Sequence, residues 1–415
     1  MVEDKKTSSG IILAFSHRNF AIYVAGNFPS QCGVWAQRFA IGWLTWEFTE
    51  SAWWLGLMGF ADLVPVVLLS PFAGYWTDKH DRLMLAKLLQ TLNVIVTLSL
   101  TIFAYTGLLN VYVLLIFAAL TGIDHAVFQP VRSALASVLV PRKSLPTAIA
   151  FGGFTWNSAR LIGPAIGAIF LHFAGPEAIF LINSIFYLGF VFALFSLRLP
   201  PTPRRETSEK GVIGEIFSGY KYAMSHPAIA PLILILFGGS FLTRPVVELL
   251  PGFAAGVFGR GPEGLAFLTS AMGLGAVLAG IWIAQRGKLT GLVQITCWAL
   301  LVGAITLIIF ANTDKFEIGV ICMVFIGIQY SLFATCVQTL IQSVAEEEMR
   351  GRVLALYGLI WMGSAAIGSL FMGGLSEIFG LQLPIGTCGA VCLLVWFWAL
   401  RKGRNINEVF EDKKF

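Results

Sequence analysis

Apolar residues run along this chain in long blocks separated by short polar breaks. Each block has the length of a membrane-crossing helix. A helix rises 1.5 Å per residue, so ~20 apolar residues match a hydrocarbon core ~30 Å thick. Twelve blocks meet that length, at about 20–46, 52–76, 83–106, 111–137, 146–172, 178–197, 228–257, 264–285, 290–311, 317–343, 352–378 and 384–400. Most of the breaks are short turns. The longest, 198–227, holds Pro200-Pro201, Pro203, Arg204-Arg205 and Glu209-Lys210, then a weakly amphipathic stretch through Tyr220-Lys221-Tyr222. The pattern predicts an all-α membrane protein of twelve transmembrane helices. A six-helix bundle over 1–197 is joined by a linker, 198–227, to a second bundle with a tail over 228–415. The first ten residues are polar, and the first apolar block continues as a full span without a secretory cleavage pattern.

Composition agrees with the pattern: 57% of the 415 residues are hydrophobic and 12% are charged, against about 25% charged in soluble proteins. Charge placement adds orientation. Arg260 and Lys315 fall in loops on one side, and Arg38, Arg160 and Arg244 fall inside blocks. Every other basic residue lies in loops, tails or helix ends of the opposite side. The positive-inside rule then makes both termini and the linker cytoplasmic, in the inner (plasma) membrane of a bacterium. The net charge of +5 resides in those loops, and no soluble basic face exists for a nucleic acid. No nucleotide-binding Gly-x-x-x-x-Gly-Lys-Ser/Thr loop is present; Gly287-Lys288-Leu289-Thr290 lacks its spacing. The six cysteines lie within predicted spans without metal-ligand spacing, so they read as packing residues. No cofactor, metal or enzymatic chemistry is expected.

The chain is built twice. Gly122-Ile123-Asp124-His125-Ala126-Val127-Phe128 is echoed by Gly327-Ile328-Gln329-Tyr330-Ser331-Leu332-Phe333, 205 residues on. At nearly the same offset Arg38 falls opposite Arg244, Gly74 opposite Gly280 and Gly163 opposite Gly368. An even number of spans per half gives parallel repeats, with a substrate cavity expected between them near the midplane.

Between spans two and three the chain reads Gly74-Tyr75-Trp76-Thr77-Asp78-Lys79-His80-Asp81-Arg82. It resembles the Gly-x-x-x-Asp-(Arg/Lys)-x-Gly-Arg signature of the major facilitator superfamily, with Asp81 where the second glycine usually stands. Gly74 is expected to let helices approach closely. Asp78 is expected to lie against the positive N-terminus of a helix of the other half, near Arg352, holding the cytoplasmic side closed until the halves rock. In span five, Asn157-Ser158-Ala159-Arg160-Leu161-Ile162-Gly163-Pro164-Ala165-Ile166-Gly167 resembles the Gly-Pro-x-x-Gly signature of the superfamily's antiporters, with Ala159 where a glycine is usual. Gly163 and Gly167 give a smooth packing face, and Pro164 bends the helix. With Gly74, Asp78 and Arg82, these three are the expected gating residues. Trp35-Ala36-Gln37-Arg38, Val140-Pro141-Arg142-Lys143 and Arg350-Gly351-Arg352-Val353 are similar to the drug:proton antiporter branch that includes macrolide efflux pumps and the enterobactin exporter. The span-four arginine of other drug-pump branches is absent here.

Six charges lie inside predicted spans: Arg38, Arg160, Arg244, Asp62, Asp124 and Glu248. Each costs ~2.5–3.5 kcal/mol at mid-helix, so they pair or face a watery cavity. Depth matches Arg38 with Asp62 as a structural pair and places Asp124 near the level of Arg160. Arg244 and Glu248 are four apart on one helical face. Asp124 is ranked first as the proton-coupling site, followed by His125 and Glu248. Arg160 and Arg244 are candidates for holding an anionic group of a substrate, and Phe128, Gln329, Tyr330 and Phe333 for lining its cavity. Trp43, Trp46, Trp53 and Trp54 read as an interfacial belt.

The resemblance implies a secondary transporter working by alternating access, exporting a small drug-like or amphiphilic compound in exchange for protons. The expected partners are that small molecule, protons and the lipid bilayer, and a monomer is expected. Buried Arg160 and Arg244 favour an alternative, a transporter of a defined anionic solute such as a siderophore, lipid-like molecule or carboxylate, in either direction. A membrane sensor or scaffold that binds without transporting is the remaining alternative.

Overall fold

A computed structural model describes residues 15–199 and 211–412, so the Pro-rich core of the linker lies outside the described residues. Every regular element among them is helical. The first half contains α1 (Arg18–Thr49), α2 (Ala52–Lys79), α3 (Arg82–Tyr105), α4 (Val111–Leu139) and α5 (Leu145–Ser196). The linker contributes α6 (Gly211–Ser225). The second half contains α7 (Ile229–Thr243), α8 (Val246–Gly252), α9 (Pro262–Arg286), α10 (Leu292–Ala311), α11 (Phe316–Val344), α12 (Glu347–Phe379) and α13 (Gln382–Asp412). Ten helical segments among the described residues are long and apolar enough to cross a membrane.

Local chemistry sets the boundaries. Ser51 caps α2, its hydroxyl accepting from Trp54 N–H at 3.4 Å, and Asn110 caps α4 by accepting from Tyr112 and Val113 N–H, each at 3.1 Å. Asp81, where the family signature has glycine, caps α3 by accepting from Met84 N–H at 2.7 Å. The 52 residues of α5 would span ~78 Å as one straight helix. Gly175 breaks it with φ 80° and ψ 174°, and contacts with α1 show the chain reversing there. Gly163 and Gly167 meet Trp35 and Phe39, whereas Asn183 and Phe190 meet Gly33 and Gly26 in descending order. The helix passes through Pro164 and Pro176 without leaving helical dihedrals. In the second half, Pro245 separates α7 from α8, and a π-turn over Phe253–Val257 follows.

Within the first half α1 packs along α5 and α2 along α4; within the second, α9 packs on α11 and α10 on α13. The halves meet along two seams, α2 against α12 and α5 against α9. The echoing segments occupy matching surroundings. A Cβ on Gly122 would lie 2.2 Å from Asp62 O on α2, and one on Gly327 would lie 2.0 Å from Met272 O on α9. Gly163 packs on α1, and Gly368 on Phe241 and Pro245 at the end of α7. Gly74 does not make the close approach expected of it: a Cβ there would meet nothing within 4 Å. The side of α2 that Gly74 presents meets no neighbour, although Ala73 and Thr77 at the same end are buried, so the glycine's smoothness is unused. The tryptophans also divide. Trp53 is 40% exposed, whereas Trp46 covers Gly252 and Gly256 of the other half. The six cysteines are buried thiols.

Candidate functional site

Between the two bundles lies a cavity of about 790 Å³. At the end where α1 passes into α2 it is shut by contacts across the seams. Ser51 Oγ and Trp53 N–H, at the start of α2, donate to Glu377 Oε2 of α12 at 2.9 and 3.1 Å. Below them Gly56 faces Gly373 and Ser369 O, and Ser270 Oγ of α9 donates to Leu161 O of α5 at 2.9 Å. The cavity extends the other way, past Trp156 and Gln129, to Phe20, Leu139 and Phe151 where α4 ends and α5 begins.

Aromatic rings and guanidinium groups form its walls. Arg160 lies over Tyr330 at 4.8 Å and over Trp35 at 5.4 Å from the ring centres. Arg244, from the other half, lies over the same Tyr330 at 5.2 Å and over Trp361 at 5.4 Å. Each has a methionine sulfur near its guanidinium, Met272 Sδ at 3.4 Å from Arg160 and Met362 Sδ at 3.7 Å from Arg244. Neither makes an ion pair among the described residues, and Arg160 is buried with Nε unpartnered. Arg38 does form an ion pair, with Asp62, and also lies over Trp35. Arg132 lies over Trp156 at 5.2 Å, and His125 tilts against the same indole at 5.6 Å. Glu248 is the other cavity-lining carboxylate among the described residues. It packs on Gly59, where a Cβ would lie 2.7 Å from its Cγ, within electrostatic reach of Arg38. With Arg38 and Asp62 cancelling, Arg132, Arg160 and Arg244 outnumber Glu248, so the cavity is electropositive.

Several sequence expectations are corrected. Asp124 and Arg160 do not meet: Arg160 faces the cavity, while Asp124 faces the interior of its own bundle beside Asn93 of α3. Arg244 and Glu248 share no ion pair, because the helix is interrupted at Pro245 between them. In the second echo only Tyr330 and Ser331 line the cavity. Gln329 is 1% exposed and turned towards Gly303 of α10, and Phe333 is fully buried beneath Gly239. Phe128 packs edge-on to Phe190 at 6.2 Å, away from the large cavity. For Gln329 and Tyr330 one residue of rotation decides this: neighbours on a helix point ~100° apart, so the third and fourth echo positions face different sides. Arg82 Nη1 donates to Ala134 O of its own half at 3.4 Å, and the side chain of Asp78 lies outside the described residues.

Sequence reasoning missed Trp35, Arg132, Trp156 and Trp361. A signal existed for three of them. Trp35 precedes Arg38 by three and Trp156 precedes Arg160 by four, so each shares a helical face with an arginine. Arg132 lies two turns past His125 on one face. Trp361 carried no such mark.

The sequence pattern of the transmembrane secretion effector family, within the major facilitator superfamily, matches residues 10–409. The staphyloferrin A transporter of Staphylococcus aureus (strain NCTC 8325 / PS 47) is 26% identical over 388 residues, 92% of this chain and 96% of that protein. Macrolide efflux protein A of Streptococcus pyogenes is 22% identical, covering 83% and 86%. The enterobactin exporter EntS of Escherichia coli O1:K1 / APEC is 26% identical, covering 62% and 60%. Among solved structures, a bacterial homologue of the human lysosomal transporter Spinster, in an inward-facing and occupied conformation, superposes with a TM-score of 0.73 at 14% identity. The superposition covers 95% of this chain and 98% of that one. A POT family transporter in complex with 5-aminolevulinic acid gives 0.73 at 15% identity, covering 94% and 96%. Family pattern, relatives and fold agree: this chain is a multi-pass membrane transporter, not an enzyme, and belongs to the transmembrane secretion effector family of the major facilitator superfamily.

Proposed function

We propose that this protein is a secondary transporter that moves an organic anion by alternating access. The observation that carries the reading is the pair Arg160 and Arg244, one from each half, bracketing Tyr330 with no carboxylate partner among the described residues. Guanidinium groups left without a counter-ion in a low-dielectric, aromatic-walled cavity favour a ligand that supplies the negative charge and an apolar body. Because the pair straddles the halves, a bound anion draws them together, as alternating access requires. That one chain completes this site supports a monomeric unit.

Twelve crossings follow if α1 and both arms of α5 each traverse the bilayer, and α7, α8 and the π-turn act as one span. Residues 1–197 and 228–415 then form the two parallel bundles. The charge asymmetry of the loops places the Arg82 end in the cytoplasm, so the cavity is open inward and shut outward. Proton coupling is assigned to Glu248, which lines the cavity and makes no ion pair among the described residues, with His125 on the facing wall.

A second reading, proton-driven export of uncharged or cationic drug-like compounds, draws on the aromatic walls and on the relation to macrolide efflux protein A. Flux in proteoliposomes under an imposed pH gradient separates the two, with phthalate and citrate as anionic probes and ethidium as a cationic one. The anion reading expects phthalate or citrate flux that falls at least ~10-fold in Arg160→Gln and Arg244→Gln, the loss of one charge-assisted contact. Ethidium flux undiminished in both variants, with no flux of either anion, would sink it.

A further inference from the structure

The seam between α5 and α9 is tight on the shut side of the cavity and parted on the other. On the shut side a Cβ on Gly273 would lie 2.8 Å from Leu161 Cα, and Ser270 Oγ donates to Leu161 O at 2.9 Å. Two turns further along the same face of α9 stands Gly280, and back along α5 stand Gly152 and Gly153. A Cβ on any of these three would meet nothing within 4 Å. Gly152 and Gly153 line the large cavity. The next residue of α5, Phe154, is 51% exposed without lining it. Beside Gly280, Ile281 is 47% exposed and also stands outside the cavity. A gap therefore leads from the cavity to the flank of the protein, with glycines on its edges and apolar side chains on its outer lips.

The seam between α2 and α12 is finished differently. Val67 still approaches Gly363 at 3.7 Å, and towards the same end α6 packs on α12 and touches α2. Gly219 of α6 seats on Arg352, and Tyr222 Oη accepts from Glu346 N–H at 3.2 Å. The linker helix thus covers the end of that seam. Its packing partners are α12, α7 and α2, so it leaves the gap between α5 and α9 uncovered.

This gap begins at the anion clamp. Arg160 Nη2 lies 3.4 Å from Met272 Sδ, beside Gly273, so the guanidinium crosses from α5 to α9 at the head of the gap. Arg160 is 7% exposed, and its Nε has no partner among the described residues. From Gly273 to Arg286 α9 rises ~20 Å, more than the ~15 Å hydrocarbon depth of one leaflet. A charged head can travel inside the watery cavity from the headgroup level to Arg160 while its alkyl tail trails through the gap in lipid. Neither part then enters the wrong solvent.

We propose that the gap between α5 and α9 is a side entrance for the alkyl tail of the transported anion. The substrate class is a single-tailed anionic amphiphile taken from the cytoplasmic leaflet, its acid group on Arg160 and its tail between Gly153 and Gly280. This assignment rests on the anion reading and the inward-open orientation proposed above.

The test uses lysophosphatidylglycerol with a photoreactive diazirine at the end of its acyl chain, added to the full-length protein in phosphatidylcholine nanodiscs. Illumination and peptide mapping should show labelling of α5 over 149–154 and α9 over 276–281, competed by unlabelled lysophosphatidylglycerol. Arg160→Gln should lower that labelling at least ~10-fold. Gly280→Phe should weaken binding of the amphiphile at least ~10-fold more than binding of phthalate, both read by ligand-dependent melting. Labelling confined to cavity residues such as Trp35 and Tyr330 overturns the proposal, because the tail then lies inside. Labelling unchanged in Arg160→Gln overturns it as well, leaving ordinary lipid around the protein, and so do equal losses for both ligands in Gly280→Phe. If Gly280→Phe fails to fold, the wild-type map and Arg160→Gln decide. Phthalate flux that requires Arg160, without competed tail labelling, overturns the side entrance and leaves the clamp standing. Failure of the clamp is read separately, from phthalate and citrate flux.

Discussion

Replacing Gly56 with alanine drives a wedge between the two halves at the closed end of the cavity. A Cβ at this position would lie 2.4 Å from Ser369 O and 2.8 Å from Gly373 Cα. Both are backbone atoms of α12, so no rotamer change relieves the clash. Overpacking of this kind costs ~1–3 kcal/mol. The contact exists only while the halves are together at that end, so the cost falls on this state and not on one in which α2 and α12 have separated. A shift of ~1–3 kcal/mol moves the equilibrium ~5- to 150-fold towards a form open at this end. Gly122→Ala is the control. Its Cβ would lie 2.2 Å from Asp62 O, but the contact is between α4 and α2 of one bundle and persists in both states. Spin labels at Phe48→Cys and Ile378→Cys, both exposed at the closing end, report the separation by pulsed electron resonance, since all six native cysteines are buried. Gly56→Ala should add a long-distance population with little loss of melting temperature, whereas Gly122→Ala should lower the melting temperature and leave the distances alone. Unchanged distances in Gly56→Ala, with a melting loss like that of the control, would refute a gate that closes at this seam.

Glu377→Gln removes the charge that accepts from Ser51 Oγ and Trp53 N–H across the halves; the same label pair should shift towards the separated form by up to ~5-fold, about 1 kcal/mol for a cap. Arg38→Met and Asp62→Leu each strand one member of a pair whose side chains are 25% and 13% exposed. Each should cost ~2–4 kcal/mol, somewhat below a fully buried pair, and the double variant should recover most of the loss in thermal melts. Phe333→Ala should destabilise by ~3–5 kcal/mol with an unchanged substrate profile, because its ring is wholly buried. Tyr330→Ala should do the reverse, sparing stability and weakening anion binding measured by ligand-dependent melting.

Sequence by itself determined the class of this protein. Long apolar blocks require backbone groups to bond internally, which in lipid means helices, and the echo at 122–128 and 327–333 marked the two segments that sit in matching surroundings. It also found Arg38, Arg160 and Arg244, because charge in an apolar helix is conspicuous. What it left undecided was which way each side chain points. Asp124 and His125 are adjacent in sequence, yet only His125 reaches the large cavity, while Asp124 turns into its own bundle. Gln329 and Tyr330 divide in the same way. That division depends on where α1, α3, α9 and α10 pack around α4 and α11, contacts between residues far apart in the chain. The clamp on Tyr330 needed tertiary structure for the same reason. Its two arginines come from different halves, and only packing of one half on the other brings both guanidinium groups to a single ring.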